Sequence, residues 1–129
     1  NSGEEIHFEL KVTNNTNAPQ KLYASSSCSE EVFDVTDNNQ QKVWGSADGI
    51  ACAAFVPPAP RIYAPYETVS YPVIWGQQRS DTVFPAPPVL VPPAQYSVTA
   101  TGGQYTMNDQ NVSFECRAAL SKSGRFTIL

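Results

Sequence analysis

Residues Phe33–Trp44, FDVTDNNQQKVW, decide how this chain is read. Val32, Phe33 and Val35 supply β-branched and aromatic residues to one arm, and Val43 and Trp44 supply them to the other. Between the arms stands Asp37-Asn38-Asn39-Gln40. Asn and Asp tolerate left-handed backbone angles and bond their own backbone, so such a cluster favours chain reversal. The stretch predicts a β-hairpin over a tight polar turn.

The same reading extends outward. In Glu5–Thr13, Ile6, Phe8, Leu10 and Val12 alternate with His7, Glu9, Lys11 and Thr13, the period of a half-buried strand. Asn14 to Pro19 ends it with turn formers, and Gln20–Ser25 reads as a second strand. Beyond the hairpin, Gly45–Pro60 is a long connection in which Asp48–Phe55 has room for a helical turn before Pro57-Pro58. Arg61–Tyr63 is a short strand, Ala64-Pro65-Tyr66-Glu67 a turn, and Thr68–Trp75 a strand with Val69, Tyr71, Val73 and Trp75 on one face. Pro72 inside it predicts an edge position or a bulge. Gln95–Thr101, Gln104–Met107 and Val112–Leu120 read as strands, the last with Val112, Phe114, Cys116, Ala118 and Leu120 inward. Ser121-Lys122-Ser123-Gly124 is expected to turn into a final strand, Arg125–Leu129. About nine or ten short strands with almost no helix predict an all-β fold, an antiparallel β-sandwich.

Size and charge narrow the function. A chain of 129 residues is expected to form a single domain, 1–129, and to bury roughly two-thirds of its unfolded surface. The net charge is −4, and the lysines and arginines are scattered. That disfavours nucleic acid and anionic lipid as partners, because both are held by clustered cations. No apolar run approaches the length of a membrane span, so no membrane insertion is expected. Eleven prolines argue against long helices. The chain opens at Asn1, which suggests a processed product and leaves room for an export signal.

Cys28, Cys52 and Cys116 show no metal-binding spacing, and His7 is the single histidine, so no metal and no cofactor are expected. An odd count allows one disulfide and a thiol, or three thiols. If consecutive strands run up and down, the loops holding Cys28 and Cys52 fall at one end. A Cys28–Cys52 bridge would then enclose the hairpin and stabilise by roughly 3 kcal/mol. Cys116, on the apolar face of a strand, reads as a buried small hydrophobe. The lysine-poor composition points to an oxidising, extracellular or cell-envelope setting.

Candidate sites are few. Phe33, Trp44, Trp75 and Tyr96 read as core anchors, with a stacking role for the tryptophans as the alternative. Asp34, Asp37 and Asp48 match no calcium loop, and turn duty suits them better. His7 stands on the polar side of a strand, out of reach of any evident nucleophile, so no catalytic residues are assigned. Asn14-Asn15-Thr16 and Asn111-Val112-Ser113 fit the glycosylation pattern. The proline loop, Thr82–Pro93, carries Phe84, Pro85, Pro87, Pro88, Val89 and Leu90. Its rigid extended backbone would lose little entropy on binding a protein, and its apolar side chains would serve equally to cover one end of the core.

Several motifs in order resemble the BsuPI family of bacterial proteinase-inhibitor domains. They are the strand ending in Asn14-Asn15-Thr16, then Phe33-Asp34-Val35-Thr36-Asp37, then Val43-Trp44. The strand ending at Trp75 follows, and last comes Val91-Pro92-Pro93-Ala94-Gln95-Tyr96-Ser97-Val98. The similarity spans roughly Phe8 to Ala100, with Pro65-Tyr66-Glu67 standing where the family tends to have Pro-Gly-Glu. It implies an immunoglobulin-like sandwich and inhibition of a protease through loop 82–93. Composition and the two regular strands near the termini point instead to a non-enzymatic structural or adhesive module. Such a module would self-associate by strand addition, as a filament subunit does.

Overall fold

A computed structural model describes residues 1–24, 31–50, 61–80, 87–102, 104–108, 111–113 and 121–129. The described elements are all strands: β1 (Ile6–Thr13), β2 (Gln20–Ala24), β3 (Glu31–Thr36), β4 (Lys42–Gly45), β5 (Arg61–Tyr63), β6 (Thr68–Trp75), β7 (Gln95–Gly102), β8 (Gln104–Asn108), β9 (Asn111–Ser113) and β10 (Ser121–Thr127). Each pairing among them is antiparallel. The fold is therefore all-β and sandwich-like. Cys28, Cys52 and Cys116, with the bridge expected between the first two, lie outside the described residues.

The strands join as a β1-β6 ribbon, a sheet in the order β10-β7-β3-β4, and a sheet in the order β5-β2-β8-β9. The ribbon and the sheet containing the opening hairpin enclose the core. Val35, Val43, Trp75, Val91, Tyr96 and Ile128 form one buried cluster, and Leu10, Val12, Phe33, Tyr63 and Ala100 form another. Phe8, Trp44 and Val98 pack against both and join them. The alternation of β1, β6 and β7 is obeyed: Leu10 and Val12, Val69, Tyr71, Val73 and Trp75, and Val98 and Ala100 turn inward, while Ile74 faces out at 52% exposure, because a pleated strand sends successive side chains to opposite faces.

Trp75 is 1% exposed and sits at the centre. Its ring lies 6.3 Å from Phe8 and 5.8 Å from Trp44, and meets Tyr96 and Phe126 edge-on at 6.2 and 6.1 Å. Its indole nitrogen donates to Gln78 O at 2.9 Å, so burying the ring leaves no orphan donor. Truncating such a residue to alanine costs about 3–5 kcal/mol.

Two local features depart from simple alternation. In the opening hairpin, Val35 pairs with Trp44 but Thr36 pairs with Lys42, so β4 carries an extra residue, Val43. A bulge of this kind re-aims side chains, and here adjacent Val43 and Trp44 both reach the core. The second departure corrects the sequence reading. Ser121 to Gly124, expected as a turn, belong to β10 and pair with Thr101 to Val98. The long ladder of β7 recruits them, Thr99 and Ser123 share a hydroxyl hydrogen bond of 2.9 Å, and Gly124 presents no side chain to Val98 opposite. Tertiary pairing here overrides turn-forming composition.

Candidate functional site

The turns determine which backbone groups reach the surface. Asn14, just past β1, is 6% exposed, and its amide is fully used. Nδ2 donates to Ala18 O at 2.9 Å, Tyr63 O at 3.2 Å and Ala64 O at 2.9 Å, and Oδ1 accepts from Thr16 N and Thr16 Oγ1 at 3.0 and 2.8 Å. This side chain locks the β1–β2 turn to the β5–β6 turn. The glycosylation pattern at Asn14 thus falls on a nitrogen held inside the fold.

Asn14 N also donates to Glu67 O at 2.9 Å, one step beyond the Thr13–Thr68 pair. Antiparallel ladders alternate between pairs that exchange hydrogen bonds and pairs that do not. Counting back two at a time, Val12, Leu10, Phe8 and Ile6 aim their peptide groups at β6. Thr13, Lys11, Glu9 and His7 aim theirs outward. The hydroxyl contact of 2.8 Å between Thr13 and Thr68 suits a pair of the second kind, whose side chains stand closer. Pro72 pairs with Glu9, also a pair of the second kind. Its missing N–H is therefore lost from the outer edge of β6 and not from the ladder.

The two edges of the ribbon differ as a result. β6 carries a proline at the middle of its outer edge; β1 carries none in eight residues. Among the described residues, no strand pairs with the outer edge of β1. Beside it runs a cleft of about 560 Å³ lined by Glu9 to Thr13, Asn15, Ser121 and Lys122. The cleft continues between β1 and β10 over Phe33, Val98 and Ala100. The outer face of β1 is charged, with Lys11 Nζ 3.4 Å from Glu9 and His7 3.8 Å from Glu5.

The other sequence candidates fall apart in space. In the proline loop, Phe84 and Pro85 lie outside the described residues. Pro87 and Pro88 are exposed, as are Val89 at 46% and Leu90 at 49%, while Val91 drops into the core. Arg79 N donates to Val89 O at 2.8 Å and Val91 N to Gln77 O at 2.9 Å, so this half of the loop is pinned along residues 77–79. Gln77, missed in the sequence, is buried with a positive φ of 57°. Its amide accepts from Gly3 N and donates to Asn1 O and Glu4 O at 2.7–2.9 Å. No periodicity flags a glutamine for that task.

Of the three aspartates, Asp37 stands apart, while Asp34 and Asp48 meet on Lys42. Asp37 Oδ1 accepts from Asn39 N and Gln41 N at 2.8 and 2.9 Å and closes the hairpin turn, where Gln40 takes a φ of 62°. Lys42 Nζ lies 2.7 Å from Asp48 Oδ1 and 2.8 Å from Asp34 Oδ1, the latter off the hydrogen-bonding direction. Ser80 Oγ donates to the other oxygen of Asp48. Partial burial disfavours the Lys42 ammonium, but attraction to Asp34 and Asp48 prevails and holds its pKa above 10.5. Partial burial likewise disfavours the Asp48 carboxylate, but Lys42 and Ser80 hold its pKa below 3.8. Gly45 makes room for this cluster, since a Cβ there would stand 2.5 Å from Lys42 Nζ.

Among the described residues, no group of three His, Cys, Asp or Glu side chains converges as metal ligands. No described helix is long and apolar enough to cross a membrane. Compared with protein-family models and with curated proteins, the chain matches none.

Proposed function

We propose that this chain is a non-enzymatic, immunoglobulin-like module of the cell surface or extracellular space, which associates through strand addition at the outer edge of β1. Two observations support the immunoglobulin-like frame. β7 lies between β3 and β10, the order of strands C, F and G. Tyr96, second in β7, donates its hydroxyl back to Pro92 O at 2.7 Å, the geometry of a tyrosine corner. In that frame β1 and β6 take the places of strands B and E, and the place beside β1 is that of strand A. No described strand occupies it.

The observation that carries the functional reading is the asymmetry of the ribbon edges. Pro72 blunts β6, while β1 offers the outward peptide groups of His7, Glu9, Lys11 and Thr13 beside an open cleft. An added strand gains main-chain hydrogen bonds there. Substituting Lys11→Pro removes one outward N–H and leaves the β1–β6 ladder intact. Leu10→Pro breaks the ladder itself and serves as the contrast. Sedimentation velocity across a concentration series is expected to show association in the wild type and none in folded Lys11→Pro. A strictly monomeric wild type at high concentration would refute the proposal.

The second reading is a BsuPI-like proteinase inhibitor that presents loop 82–93 to a protease. It is favoured by the exposure of Val89 and Leu90 on backbone held by Arg79 N at Val89 O and by Gln77 O at Val91 N. Titration against a panel of serine proteases tests it, and failure to slow any of them at micromolar concentration removes it.

A further inference from the structure

We infer that the strand added to β1 is β1 of a second copy, in a two-fold antiparallel register centred on Leu10. This rests on the strand-addition reading and adds the partner and the alignment. A ladder formed across the outer edge must pair outward-aimed residues with outward-aimed residues, which limits the choice to His7, Glu9, Lys11 and Thr13 on both sides. Two-fold symmetry then leaves few registers.

Centring on Glu9 sets Glu9 against its own copy and His7 against Lys11. Centring on Lys11 sets two ammonium groups face to face. Centring on Phe8 pairs His7 with Glu9, but only Ile6 to Leu10 of β1 finds a partner. Centring on Leu10 pairs Glu9 with Lys11 of the second copy, and Lys11 with its Glu9. His7 then meets Thr13, and His7 to Thr13 is paired along its whole length. Opposite charges directly across a ladder stabilise, and like charges oppose it.

The side chains agree with this register. Glu9 and Lys11 already stand together on the outer face, 3.4 Å apart within one copy. A two-fold axis perpendicular to the ribbon keeps both outer faces on the same side, so the two pairs merge into one four-charge cluster. Leu10 lies on the axis beside its copy, and Phe8 neighbours Val12, so the inward faces also continue as one apolar surface. The interface is isologous and closes at two copies.

Charge reversal tests the register. Glu9→Lys and Lys11→Glu each turn two attractive pairs into two repulsive ones. At low ionic strength, sedimentation equilibrium should show each variant dimerising about tenfold more weakly than wild type. An equimolar mixture of the two should recover dimers, because every cross-strand pair is then of opposite sign. The double variant Glu9→Lys/Lys11→Glu should recover them alone. Thermal melting checks that these surface changes leave the fold intact. If the single variants dimerise like wild type while Lys11→Pro abolishes dimers, strand addition stands and the register falls. A double variant as weak as the singles also overturns the register. A wild type that stays monomeric overturns both readings.

Discussion

Replacing Asn14 tests how much one buried amide contributes to this fold. Asn14→Ala removes the donor to Ala18 O, Tyr63 O and Ala64 O and the acceptor for Thr16 N and Thr16 Oγ1. Thr16 and Ala18 lie near solvent and recover much of the loss through water. The bond to Tyr63 O is buried, and that carbonyl loses a partner water does not readily replace. Two net bonds near solvent at about 1 kcal/mol each, plus about 1–2 kcal/mol for the buried bond to Tyr63 O, give about 3–4 kcal/mol. Asn14→Asp should cost more at neutral pH, because a carboxylate would face three carbonyl oxygens. The introduced carboxyl is held neutral in the fold, so its pKa rises above the unfolded value of about 3.9. The unfolded chain then loses its proton first as pH rises, and the stability of Asn14→Asp falls above about pH 4 until the folded pKa is passed. Urea denaturation followed by fluorescence of the buried Trp75 measures both variants. An Asn14→Ala loss under about 1 kcal/mol would refute the account of Asn14 as a buried pin. For the same reason, a glycan at Asn14 would be incompatible with the folded turn.

Three further outcomes follow from the geometry. Tyr96→Phe deletes the hydroxyl that reaches Pro92 O at 2.7 Å and should cost about 1 kcal/mol in the same urea assay, with no change if that bond contributes nothing. Tyr66 holds a φ of 60° at the third position of its turn and is 68% exposed, so Tyr66→Gly should relieve strain and gain about 0.5–1 kcal/mol; a loss of stability would mean that the ring makes a contact worth more than the strain. The Lys42–Asp48 pair should stabilise fully between the two ordinary pKa values, 3.8 and 10.5, and fade outside them. Its acid limb falls as pH drops from 3.8 through the lowered pKa of Asp48, and its alkaline limb falls as pH rises from 10.5 through the raised pKa of Lys42. Asp48→Asn should flatten the acid limb, and an unchanged limb would exclude the pair as its source.

Read alone, the sequence determined where β1, the opening hairpin and β6 run, and which faces of β1 and β6 meet the core. Ile6, Phe8, Leu10 and Val12, and again Val69, Tyr71, Val73 and Trp75, declare their inward side because a pleated strand has a period of two and one face meets the core. Turn chemistry at Asp37 to Gln40 and at Pro65-Tyr66 was equally local and equally legible. What lay beyond the sequence was decided by partners distant along the chain. Residues 121–124 became strand because β7 was there to pair with them. Val43 and Trp44 both turned inward because β3 left β4 one residue to spare. The polar pins Asn14 and Gln77 look like ordinary loop residues until the carbonyls of Tyr63 and Glu4 stand beside them. The candidate site belongs to this second class. Pro72 announced an edge, but only the register against Glu9 decided which edge it closes and left β1, among the described strands, as the open one, because hydrogen-bond direction alternates along a ladder that two distant segments share.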